Sequence, residues 1–421
     1  MLCGTGRAVI NPDIGHSLAG YGVVPNTGVH DNVAVTAMYL SDGDVEALLL
    51  VFDLIALGHP LNQTIREAVG HATSVAPEAV FLAATHTHSG PEVREYYYGY
   101  GPVLSVRPEY NAALPELVVR TAVEAKATAE DCTLLYNFTT ASENMNRRYS
   151  FPDRRHLYIP SHKQLAGLSD QHVDRELGIV AFRKRGTANR YKAVVTNYAA
   201  HPLCVGVASS LVSADYQGVL RATVEETFDG CRCLSTTGAA GNLHPLLPEG
   251  GFRAAQLMGT ALGNAAIARC YDAVPVEYDT KLRLGRRRVE LRVKDEATQN
   301  GLPGRADRAR DLAQLKAVGL IDTSVALLGI GPILLAGVPG ELVAELGSMI
   351  KWASPFLKTY VLFQATDDIG YITTRNQYLW GGMEAASTSL AAGEGERVVA
   401  SVIDAAEALV AADPLTLPPL D

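Results

Sequence analysis

The sequence predicts an α/β protein built around one large core. The chain has 421 residues, of which 48% are hydrophobic and 19% charged, and strand-like apolar runs alternate with helix-like segments along most of it. A chain of this length buries a large core, and this composition is typical of globular domains rather than disordered segments. Alternating strands and helices indicate an α/β fold. Because neither a repeat nor a low-complexity block divides the chain, we expect one domain over residues 1–421.

Changes in hydrophobic period along the chain predict the individual elements. Residues 46–57 (EALLLVFDLIAL) and 78–89 (EAVFLAATHTHS) are apolar runs typical of buried strands, and residues 61–72 between them show helical spacing. Further strands are predicted at residues 132–138, 176–184, 191–200, 231–238, 325–330, 332–338 and 359–366. Further helices are predicted at residues 114–130, 218–228, 305–318, 341–353 and 393–412. The polar stretch 141–175 is interpreted as a long functional loop.

Charge and hydropathy exclude several classes of partner. The formal net charge is −9, and the one basic run, residues 286–288, is interpreted as the polar side of a strand, so we expect no nucleic-acid partner. The N-terminus shows no secretory signal, and the most apolar stretch is interrupted by Gly and Pro. The six cysteines are expected to be buried, reduced thiols. These features predict a cytoplasmic protein without stable membrane insertion.

Polar residues that suit metal chemistry follow five of the predicted strands. They are His86 with His88, His201, Asn242 with His244, Glu341, and Asp367 with Asp368 and Tyr371. Because ligands of open α/β sheets bind beyond the carboxyl ends of the strands, we expect these side chains to share one rim.

Two histidines one residue apart, with a third histidine and a glutamate at other strand ends, predict a metal site. Neutral imidazoles and a carboxylate are the usual ligands of a catalytic zinc ion, which activates water and polarises a carbonyl group. The sequence THTHSGP at residues 85–91 is therefore interpreted as a metal-binding strand end, where Gly90 and Pro91 turn the chain away from the sheet.

These residues leave a second architecture open, a (β/α)₈-barrel amidohydrolase with a two-metal site. In such a barrel His201, His244 and Asp368 would complete a site that begins with the His-x-His pair. Against this alternative, such barrels place the pair on the first strand, whereas several strand-like runs precede residue 86 here. The barrel also leaves the sharp Val-Pro-Gly-Glu turn at Glu341 unexplained.

A series of short motifs resembles the catalytic domain of neutral ceramidases, in the same order. They are GYG (20–22), GVHD (28–31), ATHTHSGP (84–91), NMNR (144–147), VDREL (173–177), YAAHP (198–202), GAAGN (238–242), VPGE (338–341), GYITT (370–374) and MEAAST (383–388). They extend over about residues 5–390. The resemblance implies an α/β fold with mixed β-sheets flanked by helices, and a zinc-dependent amidase activity.

The resemblance also implies roles for individual residues. By their places in the motifs, His86, His201, Glu341 and Tyr371 bind one zinc ion, His88 faces the substrate carbonyl, and Arg147 lines the same pocket. A water activated by the metal attacks an amide carbonyl, and His88 with Tyr371 or Arg147 supports the developing oxyanion. A Glu341 that binds zinc is not a free base, so proton transfer to the leaving amine falls to His88 or a nearby group.

Three departures separate this chain from the ceramidase pattern. Gly241 stands where the family has a serine near the site, and Met383 stands where a tyrosine is expected. The sequence ends about thirty residues after the last motif, without the C-terminal β-sandwich domain of full-length ceramidases. We therefore expect cleavage of an amide or related C–N bond in a small amide or N-acyl substrate, with ceramide as one candidate. A non-catalytic zinc-binding scaffold is the alternative.

Overall fold

The computed structural model describes residues 1–97, 101–102, 106–150, 156–158, 172–294 and 319–418. Within these ranges the chain forms two mixed β-sheets with helices packed on their outer faces, so the predicted α/β class with mixed, helix-flanked sheets is confirmed. The predicted helix 305–318 lies outside the described residues, as does part of the predicted loop 141–175.

The strands of the two sheets are labelled β1 to β13 in chain order. They are Leu2–Val9 (β1), Ala34–Ser41 (β2), Glu46–Phe52 (β3), Val80–Ala84 (β4), Glu130–Thr140 (β5), Glu176–Lys184 (β6), Tyr191–Tyr198 (β7), Arg232–Thr237 (β8), Val274–Val276 (β9), Leu282–Arg292 (β10), Leu320–Ile330 (β11), Ile333–Gly337 (β12) and Lys358–Leu362 (β13). Shorter strand pairs lie in the loops: Ser17–Leu18 with Val24–Pro25, Gly28–Val29 with Leu211–Val212, Tyr96–Tyr97 with Gly101–Pro102, Asn144–Asn146 with Leu243–Pro245, Arg148–Ser150 with His156–Tyr158, and Glu341–Leu342 with Tyr371–Ile372.

Both sheets mix parallel and antiparallel pairs. The larger sheet has the order β8-β7-β6-β5-β1-β2-β3-β4, with β9 beside β5, and its parallel pairs are β3/β4 and β7/β8. The smaller sheet has the order β10-β11-β12-β13, and only β12/β13 is parallel. Antiparallel neighbours in both sheets rule out the eight-stranded parallel barrel that the residues alone left open.

The two sheets face each other across a shared apolar core. Side chains of β3 alternate between the two faces: Leu49 and Val51 belong to the core between the sheets, whereas Leu48 and Leu50 face helices. Because β3 is buried on both faces, its sequence is an unbroken apolar run. At the closest approach, a Cβ atom on Gly178 of β6 would lie 2.0 Å from Cε1 of the Tyr360 ring on β13.

Helices cover the outer face of each sheet. They are His59–Thr73 (α1), Pro108–Ala127 (α2), Asp215–Thr227 (α3), Gly251–Tyr271 (α4), Ala344–Ala353 (α5), Arg375–Trp380 (α6), Met383–Ser387 (α7) and Glu394–Ala412 (α8), with 3₁₀ turns at Pro77–Ala79 and Gly206–Ala208. Apolar side chains of α1 to α4 pack on the larger sheet, and those of α5 and α8 pack on the smaller sheet. No helix among the described residues is both long and apolar enough to cross a bilayer.

Several element boundaries differ from the sequence prediction. The helix predicted at 341–353 begins at Ala344, because Glu341 and Leu342 pair with Tyr371 and Ile372 as a short parallel strand. Strands β1 and β2 were not predicted. All six cysteines are buried and unbridged, as expected.

Candidate metal centre and active site

Of the predicted metal ligands, His86, His201 and Glu341 lie just beyond the carboxyl ends of strands in the parallel pairs, and Tyr371 lies further along the chain, in the short strand Tyr371–Ile372. His86 follows β4, His201 follows β7, Glu341 follows β12 and Tyr371 follows β13. Parallel neighbours end at the same edge of a sheet, and loops from that edge are the usual carriers of ligands. Glu341 and Tyr371 are in addition direct neighbours, because their short strands pair in parallel. The two sheets therefore contribute to one site.

Two histidines point their Nε2 atoms at a single carboxylate oxygen. Glu341 Oε2 lies 3.5 Å from His86 Nε2 and 3.2 Å from His201 Nε2. The other ring nitrogen of each histidine is bound to a backbone carbonyl: His86 Nδ1 to Ile55 O at 2.7 Å, and His201 Nδ1 to Ala240 O at 2.6 Å. A carbonyl oxygen only accepts hydrogen bonds, so Nδ1 carries the proton in both rings. The Nε2 lone pairs therefore face the centre of the site.

Burial and neighbouring charges set the protonation of these groups. Burial lowers the pKa of His201 to about 4, although the neighbouring Glu341 carboxylate, which favours the protonated imidazole, opposes the shift. For Glu341 burial acts to raise the pKa, but the attraction of His86 and His201 outweighs it and holds that pKa well below its usual range. Near neutral pH the site thus contains a neutral His201 imidazole beside an ionised carboxylate, which is the form in which these groups bind a metal.

The donor set fits a metal cation. Two Nε2 lone pairs facing a carboxylate oxygen repel one another unless a cation lies between them, and His86 Nε2 is buried without a hydrogen-bond partner. Ligand atoms of His86, His88 and His201 also lie within 4.8 Å of one another, so these three residues form a group that could hold a metal ion. Imidazole nitrogens with a carboxylate oxygen are typical of zinc sites.

His86 occupies an unusual backbone conformation. Its φ angle is 70°, in the left-handed region that non-glycine residues seldom adopt, and its N–H donates to Leu54 O at 2.9 Å. Such a conformation costs about 1–3 kcal/mol and persists only where the surrounding structure holds it. The conformation occurs at the point where the chain leaves β4 and the imidazole enters the site.

His88 differs from the other two histidines because neither of its ring nitrogens has a hydrogen-bond partner. Its ring centroid lies 5.0 Å from that of His86 and 5.0 Å from that of Tyr21. Burial, together with repulsion from His86 and His201, holds the pKa of His88 well below its ordinary value. Gly20, with φ of 96°, packs so closely that an added Cβ would lie 2.2 Å from His88 Nδ1.

Arg147 forms the opposite wall of the site and is almost completely buried, with 1% exposure. Its Nη1 lies 2.9 Å from His244 Nε2, and its Nη2 donates to Gly241 O at 2.7 Å and to Tyr371 Oη at 3.1 Å. Burial raises the pKa of Tyr371 well above its usual value, and the Arg147 charge partly offsets this. Arg147 thus lies beside Tyr371, with its guanidinium group buried.

Glu384 is a site residue that the sequence analysis did not identify. It is fully buried, and its Oε1 accepts from Arg147 Nε at 2.7 Å while its Oε2 accepts from Arg148 Nη1 at 2.5 Å. The sequence did contain a signal for Glu384 as a site residue, because it is the one acidic residue of the motif MEAAST, and Arg147 ends the motif NMNR. The pairing itself was not predictable, because the two motifs are far apart in the chain.

Other predicted residues serve the framework. Asp368, a ligand in the barrel alternative, instead pairs with Arg94 at 3.0 Å. Asp53 accepts two hydrogen bonds from Arg221, each of 2.6 Å, and Asp31 accepts from Ala214 N at 2.8 Å. These contacts tie both carboxylates to α3 and the residue before it.

Comparison with known proteins shows the fold through solved structures. No protein-family model and no curated protein sequence matches the chain. The crystal structure of neutral ceramidase from Pseudomonas aeruginosa aligns with a TM-score of 0.75 and 18% identity, over 100% of this chain and 76% of that chain. The chain has the neutral ceramidase fold. A structure described as ceramidase complexed with C2 aligns with a TM-score of 0.72, 18% identity and the same coverage of both chains. The resemblance found in the motifs is thus confirmed at the level of the fold.

Proposed function

We propose that the protein is a zinc-dependent hydrolase that cleaves an amide or related C–N bond. The metal ligands in this proposal are His86, His201, Glu341 and Tyr371, and the catalytic residues are His88 and Arg147. The observation that carries the proposal is the convergence of two Nε2 lone pairs on Glu341 Oε2, at 3.5 and 3.2 Å. This arrangement suits a bound cation, and the ceramidase fold supplies the precedent for hydrolysis.

A bound zinc ion would supply Lewis acidity and make a water molecule nucleophilic near neutral pH. The residues of the chain then position the substrate and transfer the proton to the leaving nitrogen. During hydrolysis a C–O bond to water forms, the C–N bond breaks, and one proton passes from the water to the leaving nitrogen. His88 suits this transfer, because both of its ring nitrogens lack a hydrogen-bond partner and one of them can accept the proton from water and return it to the leaving nitrogen.

Arg147 acts through the tyrosine beside it. All three of its side-chain nitrogens are held, by Glu384, His244, Gly241 and Tyr371, so its orientation is fixed. Its hydrogen bond and positive charge favour the ionised form of Tyr371, which is the form that binds a cation. Because the guanidinium group of Arg147 is already held in place, its charge would also stabilise an oxyanion without movement of the side chain.

The approach to His88 favours an N-acyl substrate with an apolar part. Tyr21, whose ring lies beside His88, is 37% exposed. On the adjoining loops Val23 is 70% exposed and Val207 is 58% exposed, and an added Cβ on Gly206 would lie 3.2 Å from Tyr21 Oη. Gly241 offers no hydroxyl group, which favours direct attack by water over a serine nucleophile. We therefore propose a small N-acyl amide as substrate class, with long-chain ceramide as a weaker substrate.

The proposal is tested by metal analysis and by turnover of N-acyl amides of increasing chain length, in micelles where needed. We expect about one zinc per chain, activity that chelation removes and zinc restores, and faster turnover of short chains than of long-chain ceramide. A zinc-loaded protein that cleaves none of the amides would instead support the non-catalytic scaffold. Efficient cleavage of long-chain ceramide alone would overturn the proposed substrate class but would still support the proposed hydrolase activity.

A further inference from the structure

A polar cavity of about 200 Å³ lies between the first turns of α1 and strands β10 and β11. It shares no residue with the candidate metal centre. Asn62 and Arg66 of α1 line one side, Arg286 of β10 and Ser324 of β11 line the other, and Asp367 closes one end. The cavity is therefore bounded by parts of both sheets and one helix.

Two hydrogen-bond donors that face this cavity have no acceptor. Asn62 is only 3% exposed, and its Nδ2 has no hydrogen-bond partner. Nε of Arg286 is buried and has none either. Buried polar atoms are nearly always paired, because an unmet donor costs about 1–3 kcal/mol. Two unmet donors lining one cavity indicate a missing acceptor.

The cavity is also lined by two arginines, Arg66 and Arg286, that form no close ion pair among the described residues. Arg286 donates through Nη1 to Ser324 Oγ at 3.1 Å, and Arg66 donates twice to Pro77 O, so both guanidinium groups bind neutral acceptors. In the described part of the chain, neither arginine has an ion-pair partner within 4 Å. Burial, followed by repulsion from Arg66, lowers the pKa of Arg286 to about 10, and the attraction of Glu78 partly opposes this shift.

The two acidic residues that line the cavity are occupied elsewhere. Asp322 accepts from Arg288 Nε at 2.7 Å. Asp367 accepts from the backbone N–H of His59 at 3.1 Å and from Thr323 Oγ1 at 3.2 Å, and burial raises its pKa to about 6. Neither carboxylate forms an ion pair with Arg66 or Arg286.

We propose that this cavity binds a small oxyanion, either inorganic phosphate or the phosphate or carboxylate group of a small metabolite. An anion that only accepts hydrogen bonds would satisfy Asn62 Nδ2 and Arg286 Nε together and would offset the repulsion between the two arginines. Water would satisfy the donors and leave the charge uncompensated. The volume leaves room for an organic group attached to the anion.

Calorimetric titration of the full chain with phosphate and with malonate, at constant ionic strength set with chloride, tests the proposal. We expect saturable binding of at least one of the two anions, which also distinguishes the phosphate from the carboxylate source. Arg286→Met should weaken that binding by about tenfold or more, because it removes a charge-assisted hydrogen bond. Arg287→Met is the matched control, since Arg287 is the next residue on β10 and pairs with Asp404.

A further control separates this cavity from the metal centre, where anions could bind zinc. Binding should survive in His201→Ala, whose metal centre is disabled. Arg66→Met is the second cavity variant and should weaken binding if Arg286→Met does not fold. Absence of saturable binding in the unmodified protein, binding unchanged in the folded cavity variant, or binding lost only in His201→Ala would each overturn the proposal.

Discussion

The two walls of the candidate site are held in place by different kinds of partner. On one wall, His86 and His201 are each fixed by a backbone carbonyl that lies behind the ring. On the other, Arg147 is fixed largely by side chains, above all by the carboxylate of Glu384. A backbone partner survives any side-chain substitution, whereas a side-chain partner can be removed by one. We infer that the histidine wall determines whether metal binds and the arginine wall determines how well the loaded site works.

The largest expected effect follows from removing a histidine of the first wall. His201→Ala should abolish zinc binding and reduce turnover to background, because it removes one of two Nε2 donors facing Glu341. The fold should persist, since the apolar core between the sheets does not involve the site. Zinc content, turnover and circular dichroism measure these effects, with exposed His71→Ala on α1 as the control. A variant that still binds one zinc tightly would contradict the assignment.

His88 separates binding from catalysis on the same wall. Because its ring nitrogens have no partner, His88→Ala should keep zinc and lose turnover by roughly 10²–10⁴-fold, the usual range for a general acid or base. Zinc content and kcat, measured on the same preparation, distinguish the roles. His88 belongs to the histidine group that could hold a metal. Loss of zinc together with activity would therefore make His88 a metal ligand and contradict its separation from the metal-binding residues.

The arginine wall is tested through Glu384. Glu384→Gln should keep zinc but reduce kcat by about 10–100-fold, the usual cost of losing a residue that orients a metal site. It should also lower the free energy of unfolding by about 3–5 kcal/mol, because the buried guanidinium groups of Arg147 and Arg148 both lose the negative charge of Glu384. Turnover and denaturant unfolding are compared with exposed Glu407→Gln. If Glu384→Gln lost its zinc, the arginine wall would also determine metal binding, and the proposed division of roles between the two walls would be wrong.

The smallest effect is expected where the two walls meet, at Gly241. A Cβ atom there would lie 2.6 Å from Glu341 O, so Gly241→Ala should destabilise the fold by about 1–3 kcal/mol and weaken zinc binding slightly. Gly58→Ala is the control, because nothing lies within 4 Å of an added Cβ at Gly58. Unfolding curves measure the difference, and an unchanged stability would show that this contact can relax. The serine that ceramidases carry in this loop would meet the same backbone.

Much of the framework could be predicted because it depends on local pattern. The buried strand β3 was visible as an apolar run, α1 as a helical period, and β6 was predicted with its observed bounds, Glu176–Lys184. The strand ends could be predicted for the same reason, which placed His86, His201 and Glu341 at one rim, whereas Tyr371 was proposed as a ligand only through the resemblance to neutral ceramidases. Strands β1 and β2 were not predicted, and the 341–353 helix was predicted three residues too early.

By itself the sequence determined the fold class, the identity of the polar residues at the strand ends and the resemblance to neutral ceramidases. Only the tertiary structure decided what those residues do to one another. It brought Glu384 to Arg147 across 237 positions of sequence and placed a proton on Nδ1 of His86 and His201 through the carbonyls of Ile55 and Ala240. The physical reason is that strand and helix patterns depend on neighbours in the chain, whereas protonation, orientation and charge balance depend on neighbours in space.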